Sequence, residues 1–570
     1  MAYRAPLGEF RFLFEHVVGF RNVSATDLFA EATPETIEAV LAEAGKLAET
    51  ALAPLQRAGD KHPARLENGI VRTPPGFAEG YRAIVEGGWV SIAANPEYGG
   101  MGLPMAVTSA VNEMIGSACL SLQLNPLMTQ GQIEALEHHA SDALKALYIP
   151  KLVSGEWCGT MNLTEPQAGS DVGALRTKAE PKGDGTYAVT GQKIYISWAD
   201  NDFTSNVCHL VLARLPDAGP GTKGISLFMV PKFIPDADGN PGPRNSLTVV
   251  SLEHKLGLHG SPTAVMQYDG AIGWLVGEPH KGMAAMFTMM NNARLGVGVQ
   301  GVSVAEAAYQ HALAYATDRR QGRTPVEGKH TILEHADVRR MLAEMKAETV
   351  SARAIALICA VAIDMARATG HADWQARAAL LTPIAKAFGT DTGIWVASQG
   401  VQVHGGMGFI EETGAAQYLR DVRVTAIYEG TNGIQAMDLV GRKMMDDGEA
   451  AFRLIDEVQA GAEAARAALP ALATRVWDAA EALREATEAL VAQEMNDRFA
   501  GAVPYLRAFA RVLSGHVHLA SAVAEGGDGP RSALAGVAIL RLLPEHKGLL
   551  AQAVLGAEGL YALSDEDLAA

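Results

Sequence analysis

Apolar positions recur every three to four residues through 1–155, give way to short alternating runs between 156 and 278, and return to helical spacing from 279 onward. In the first block Pro34-Glu35-Thr36-Ile37-Glu38-Ala39-Val40-Leu41 shows the helical period, with Thr33 as cap and proline at the first helical position. The loop Asn95-Pro96-Glu97-Tyr98-Gly99-Gly100-Met101-Gly102 interrupts it. In the second block Tyr187-Ala188-Val189, Ile194-Tyr195-Ile196, Val207 to Leu212 and Ser226 to Val230 read as strands of a small antiparallel domain. Pro235 to Pro243 reads as a polar loop. The third block carries long helical segments at 294–318, 331–368 and 373–401, as in a bundle. A fourth block, Ala- and Leu-rich, has Val476, Ala480, Leu483 and Leu490 on one stripe. The expected domains are 1–155, helical; 156–278, β; 279–445, a helical bundle; and 446–570, further helices.

With 570 residues the chain exceeds one compact core. A net charge of −17 argues against nucleic acid and anionic membrane as main partners. Cys119, Cys158, Cys208 and Cys359 are far apart, which fits a reducing compartment and offers no zinc pattern. The N-terminal residues lack a signal-peptide pattern and no run of 18 apolar residues occurs, so a soluble cytoplasmic protein is expected.

Within this frame five runs carry chemistry. Asn162 to Asp171 offers the hydroxyls of Thr164 and Ser170 on an irregular loop; it reads equally as a turn entering the β domain. Tyr195 and Ser197 share one strand face, which suits a planar heterocycle or a half-buried strand. Arg319, at a helix end, suits a diphosphate or a solvated surface, and Arg294 in an apolar run requires a partner. Gln402-Val403-His404-Gly405-Gly406 allows close backbone approach to a ligand. Tyr428-Glu429-Gly430-Thr431 sets one carboxylate on a turn between apolar helical patterns, where loss of water would make it a base toward carbon.

Together, and in this order, Thr164-Glu165-Pro166, Ala168 to Asp171, Gln192 to Ser197, Arg319-Arg320-Gln321, Gln402 to Gly406 and Tyr428 to Thr431 resemble the acyl-CoA dehydrogenase family. Glu97 to Leu103 adds to the match. The resemblance implies a mainly α fold with a central β domain: an N-terminal helical domain, a middle β domain and a four-helix bundle, here with a C-terminal helical extension. It implies FAD lined by Leu163, Thr164, Ser170, Tyr195, Ile196, Ser197, Thr431 and Gly433. Arg319, Gln402, Gly405 and Gly406 would reach the diphosphate and adenosine of a flavin held mainly by a second subunit. Ser170, Arg294 and Gly430 would meet substrate, and Glu429 would remove the α proton of an acyl-CoA thioester. Gly322 stands where the family commonly has Phe, and Asn291 where an acid is frequent. A minority of the family places its base on this earlier helix, but 289–294 holds no acid.

The long tail and the opening Tyr3-Arg4-Ala5-Pro6 resemble the subgroup containing 3-methylmercaptopropionyl-CoA dehydrogenases. By that likeness the expected partners are an acyl-CoA, an electron-transfer flavoprotein and a second copy in a homodimer. An acyl-CoA oxidase, a short- or medium-chain fatty acyl-CoA dehydrogenase, a nucleic-acid-associated relative and a non-enzymatic flavin scaffold are the alternatives.

Overall fold

The structure, a computed structural model, describes residues 3–570. Helix α1 (Pro34–Leu47) begins as its sequence dictates: Thr33 Oγ1 accepts the Thr36 N–H at 3.2 Å and Pro34 opens the first turn. The N-terminal block also contains an unforeseen hairpin, β1 (Arg65–Glu67) with β2 (Ile70–Arg72). Its turn is Asn68-Gly69, both left-handed, the pair that matches a two-residue turn to strand twist. Helix α2 (Met105–His139) is broken at Cys119, where φ is −156° and ψ 90°.

The middle strands are β3 (Trp157–Asn162), β4 (Lys178–Pro181), β5 (Tyr187–Ser197), β6 (Asn206–Arg214), β7 (Ile225–Pro231), β8 (Phe233–Pro235), β9 (Pro241–Arg244), β10 (Leu247–Leu252) and β11 (Thr263–Val276). The main sheet runs β10-β11-β5-β4-β6-β3, and β7 bridges β6 and β11 to close a ring. The expectation of a purely antiparallel domain fails, because β3 pairs with β6 in parallel. The stretch expected as a loop at 235–243 has paired arms: β8 and β9 form a hairpin around Asp236 to Asn240, whose turn is closed by Asp236 Oδ1 accepting from Asp238 N and Asn240 N.

The bundle is built from α2 with α3 (Gly282–Asp318), α4 (Ala336–Thr369) and α5 (Ala372–His404). Helix α3 starts at Gly282 rather than 294, since the Met-rich run ahead of Arg294 continues the helix. Both α2 and α4 are long and apolar enough to cross a bilayer, but 94% and 83% of their most apolar windows lie inside protein. Helices α3 and α5 run parallel at backbone contact. A Cβ on Gly301 would lie 2.2 Å from Gly389 O, one on Gly389 2.4 Å from Gly298 O, and one on Gly393 2.5 Å from Gly301 O. Only glycine permits that approach.

After the short helix α6 (Asn432–Val440) come α7 (Pro470–Val491) and α8 (Met495–Glu525) of the extension. The expected stripe of Val476, Ala480, Leu483 and Leu490 is fully buried. The extension shares one apolar core with the bundle. His518 Nε2 meets Ser351 Oγ at 3.1 Å, Arg511 pairs with Glu348, and Arg531 clasps Glu9 near the N-terminus at 2.8 Å.

Candidate active site

Glu429 sits on a turn that few side chains tolerate: its φ is +56°, followed by Gly430 at +84°. A left-handed non-glycine residue costs on the order of 1–3 kcal/mol and persists where its surroundings hold it. Here the hold is explicit. Lys386 Nζ on α5 donates to Gly430 O at 2.9 Å, Gln435 Nε2 donates to Glu429 O at 3.1 Å, and the Tyr428 hydroxyl donates to Gln300 Oε1 on α3. With φ at +84° the neighbour of Glu429 is best served by glycine, and a Cβ there would also lie 2.9 Å from Gln435 Nε2. Thr431 caps α6, its Oγ1 accepting the Ile434 N–H at 3.2 Å.

Glu429 is half-buried. Burial pushes its pKa up to about 7, with the charges of Arg294 and Lys386 pulling the other way. Arg294 is 5% exposed; its Nη1 lies 3.3 Å from Asp438 Oδ2 and its Nε has no partner among the described residues. Among the described residues the Glu429 backbone N–H finds no acceptor. A carboxylate that titrates near neutrality, beside a free N–H, is the pairing needed to remove a carbon-bound proton and receive the charge that develops on a neighbouring oxygen.

The second half of the site is the edge of the β domain. Buried Lys193 donates to Glu165 Oε1 at 2.8 Å and to Leu163 O at 2.9 Å, while Ile194 N donates to Thr164 O at 2.9 Å. Glu165 also accepts from the N–H groups of Arg176 and Thr177, and burial notwithstanding, Lys193 and these donors hold it down at about 2. The loop carrying Leu163 and Thr164 is thus fastened to the strand carrying Tyr195 and Ser197. A bulge in β5 opposite Ala264/Met266 breaks the alternation. Lys193 and Tyr195 would share a face in a regular strand; instead Lys193 is fully buried and Tyr195, with φ +60°, is 61% exposed. Ile196 turns its side chain into the β-domain core, leaving only its backbone to a ligand. Thr164 and Ser197 are half-buried, and Ser170 is exposed.

A chain of contacts joins the halves. Trp198 Nε1 donates to Ser121 O at the α2 break, Gln300 Nε2 donates to Gln123 Oε1 at 2.9 Å, and Gln300 receives the Tyr428 hydroxyl. Gln123 Nε2 stays buried without a partner. None of these connecting residues was among the expected site; Lys386 was missed too, although a lone lysine in the apolar run Leu380 to Phe388 poses the question that Arg294 poses.

Arg319, Gln402, Gly405 and Gly406 are exposed and gather elsewhere. Arg319 closes α3 and Gly405 follows α5, the two helix ends being tied by stacking of His404 on Tyr315 and His311 with centroids 4.3 and 4.7 Å apart. At 1.5 Å per residue, Arg319 lies about 37 Å along α3 from Arg294. One chain does not bring this group to Glu429. Gly322 has φ +72°, a turn conformation that suits glycine. Gly433 is half-buried near the N-terminus of α6 and adjoins Thr431, which is exposed.

Comparison with known proteins gives a consistent result. Family models described as acyl-CoA dehydrogenase N-terminal, middle and C-terminal domains match residues 34–156, 160–271 and 280–445, and one described as acetyl-CoA dehydrogenase C-terminal like matches 454–564. The chain is 46% identical over 548 residues to 3-methylmercaptopropionyl-CoA dehydrogenase of Ruegeria pomeroyi, spanning 93% of each. In fold it is similar to Caenorhabditis elegans ACDH-11 in complex with C11-CoA, with a TM-score of 0.79 at 21% identity over 95% of this chain and 92% of that one. It is also similar to the acyl-CoA dehydrogenase of Bacillus anthracis complexed with FAD, with a TM-score of 0.74 at 20% identity over 94% and 89%.

Proposed function

This chain belongs to the acyl-CoA dehydrogenase family, and from that premise we propose that it dehydrogenates an acyl-CoA thioester with Glu429 as the base. The observation that carries the reading is the desolvated carboxylate at about 7 on a fastened left-handed turn. An ordinary Glu, near pKa 4.3, is a feeble base toward carbon; raising it brings its basicity to the operating pH. Glu429 takes the α proton, and its own N–H faces the thioester oxygen as charge accumulates there, worth ~3 kcal/mol for one such donor.

FAD is the cofactor, and when bound it supplies the acceptor for the β hydride. The chain suits it: the exposed Tyr195 ring offers a stacking surface, and Thr164 and Ser197 line the same edge. The buried, unpartnered Arg294 Nε and Gln123 Nε2 leave polar atoms ready for a ligand. Arg319, Gln402, Gly405 and Gly406 fit the diphosphate end of a flavin bound across a homodimer, which their separation from Glu429 supports. We take 3-methylmercaptopropionyl-CoA as substrate on the strength of the 46% identical relative, and an electron-transfer flavoprotein as acceptor.

The test is a panel of acyl-CoA thioesters, the methylthio-propionyl ester included, offered anaerobically to the purified flavoprotein. Bleaching of the flavin by that ester at the lowest concentration supports the assignment. Equal bleaching by butyryl-CoA would leave the reaction and discard the substrate. Peroxide released in air with acyl-CoA alone would make the protein an oxidase.

A further inference from the structure

Resting on Glu429 as the base, the geometry points to Lys386 as a positioning residue for proton removal, tethering the catalytic turn through Gly430 and placing a positive charge behind the carboxylate. The Lys386 side chain is fully buried. Its ammonium has two protein acceptors, Gly430 O and Asn432 Oδ1, each at 2.9 Å. Asn432 in turn donates to Thr390 Oγ1 at 3.0 Å and Asp391 Oδ1 at 2.7 Å, so both ends of the turn are pinned to one face of α5. The glycine contacts of α5 with α3 bracket this position: a Cβ on Gly298 would meet Ala385 and Lys386 backbone at 2.6 to 3.1 Å.

A tether alone needs only a neutral donor. The charge has its own place in the balance around Glu429, which feels Arg294 from α3 and Lys386 from α5; Asp391 on α5 acts in turn on Lys386, and Asp438 and Arg442 from the α6 side act on Arg294 and on Lys443. Arg294 and Arg442 share the one carboxylate of Asp438, at 3.3 and 2.6 Å, and Arg294 still acts on Glu429. Lys386 bonds only neutral oxygens, while Asp391, which accepts from Asn432, acts on it through charge alone. Lys386 therefore acts on Glu429 alongside Arg294, favouring its ionised, base-competent form. Lys386 is itself pushed down to about 8 by burial, so the effect is present at neutral pH and fades above that value.

The experiment measures flavin reduction against pH by stopped flow in the FAD-loaded enzyme with a saturating acyl-CoA. Lys386→Gln keeps a donor to Gly430 and removes the charge. FAD content is expected to hold, KM to move less than about threefold, the apparent pKa of reduction to rise by about one unit and the rate at pH 7 to fall about tenfold. Lys386→Arg is expected to restore the native pH profile. Should the Gln chain not fold, Asn432→Asp decides: it sets an anion beside the ammonium and is expected to raise the apparent pKa by about half a unit or more. A rate loss with an unmoved pKa in the variant that folds overturns the proposal. The base reading fails separately, if Glu429→Gln still bleaches the flavin.

Discussion

The two ends of the α3–α5 pair are built on opposite plans. At the Glu429 end, the turn is fastened by Lys386, Gln435 and Tyr428 and reaches the β domain through Gln300 and the α2 break. At the Arg319 end, the side chain's one hydrogen bond is a 3.4 Å contact with Gln321, and Met407, Phe409 and Ile410 stand exposed at 47%, 86% and 45%. The first end holds its chemistry ready within one chain. The second offers donors, glycines and apolar surface but no enclosure, the character of a surface completed by another molecule.

The sharpest way to break this contrast is Glu429→Gln, expected to cut flavin reduction by about 10³-fold or more while FAD stays bound. Retained bleaching would reduce the fastened end to ordinary structure. Next comes Gly389→Val, which drives a side chain into the Gly298 carbonyl and is expected to destabilise the fold by about 3 kcal/mol in a chemical-denaturation curve.

The third concerns the standing cost of a neutral-pH base. In the folded protein Glu429 binds its proton up to about 7, against 4.5 for its ordinary value. Between those values the native state holds more protons than the unfolded one, so stability falls as pH rises through the window and is lowest above it. The penalty at pH 8 is about 2 kcal/mol once partial access to water is allowed for. Glu429→Gln should therefore raise Tm at pH 8 and leave it nearly unchanged at pH 4.5. The smallest expected effect belongs to the open end: Arg319→Ala should weaken FAD retention about tenfold on gel filtration, with Tm of the flavin-free protein unaltered.

The sequence made the long helices, the β insertion and the Glu429 turn legible, because helical period, strand composition and a carboxylate flanked by Gly and Thr are all local signals. It did not reveal that Tyr195 and Lys193 part company, since a bulge depends on the partner strand β11. The resemblance placed Ile196 beside the flavin without telling that its side chain packs in the β core and only its backbone is left for a ligand. The break at Cys119 has no proline or glycine to announce it; Pro126 lies further along the same helix. The β1–β2 hairpin, by contrast, was written plainly in Asn68-Gly69. Lys386 acquires meaning only through α5 meeting a turn more than 40 residues away, at Gly430.

The bare backbone contact of α3 with α5 has a mechanical consequence. With no side chains between them to slip or re-pack, Gly298, Gly301, Gly389 and Gly393 weld the helices into a single beam. Arg294 and Lys386 ride on its two members, so the spacing of their Cα atoms is set by the main chain. Rigidity is thereby concentrated on the helical side, in contrast with the β-domain edge, where the exposed Tyr195 stands on a bulge.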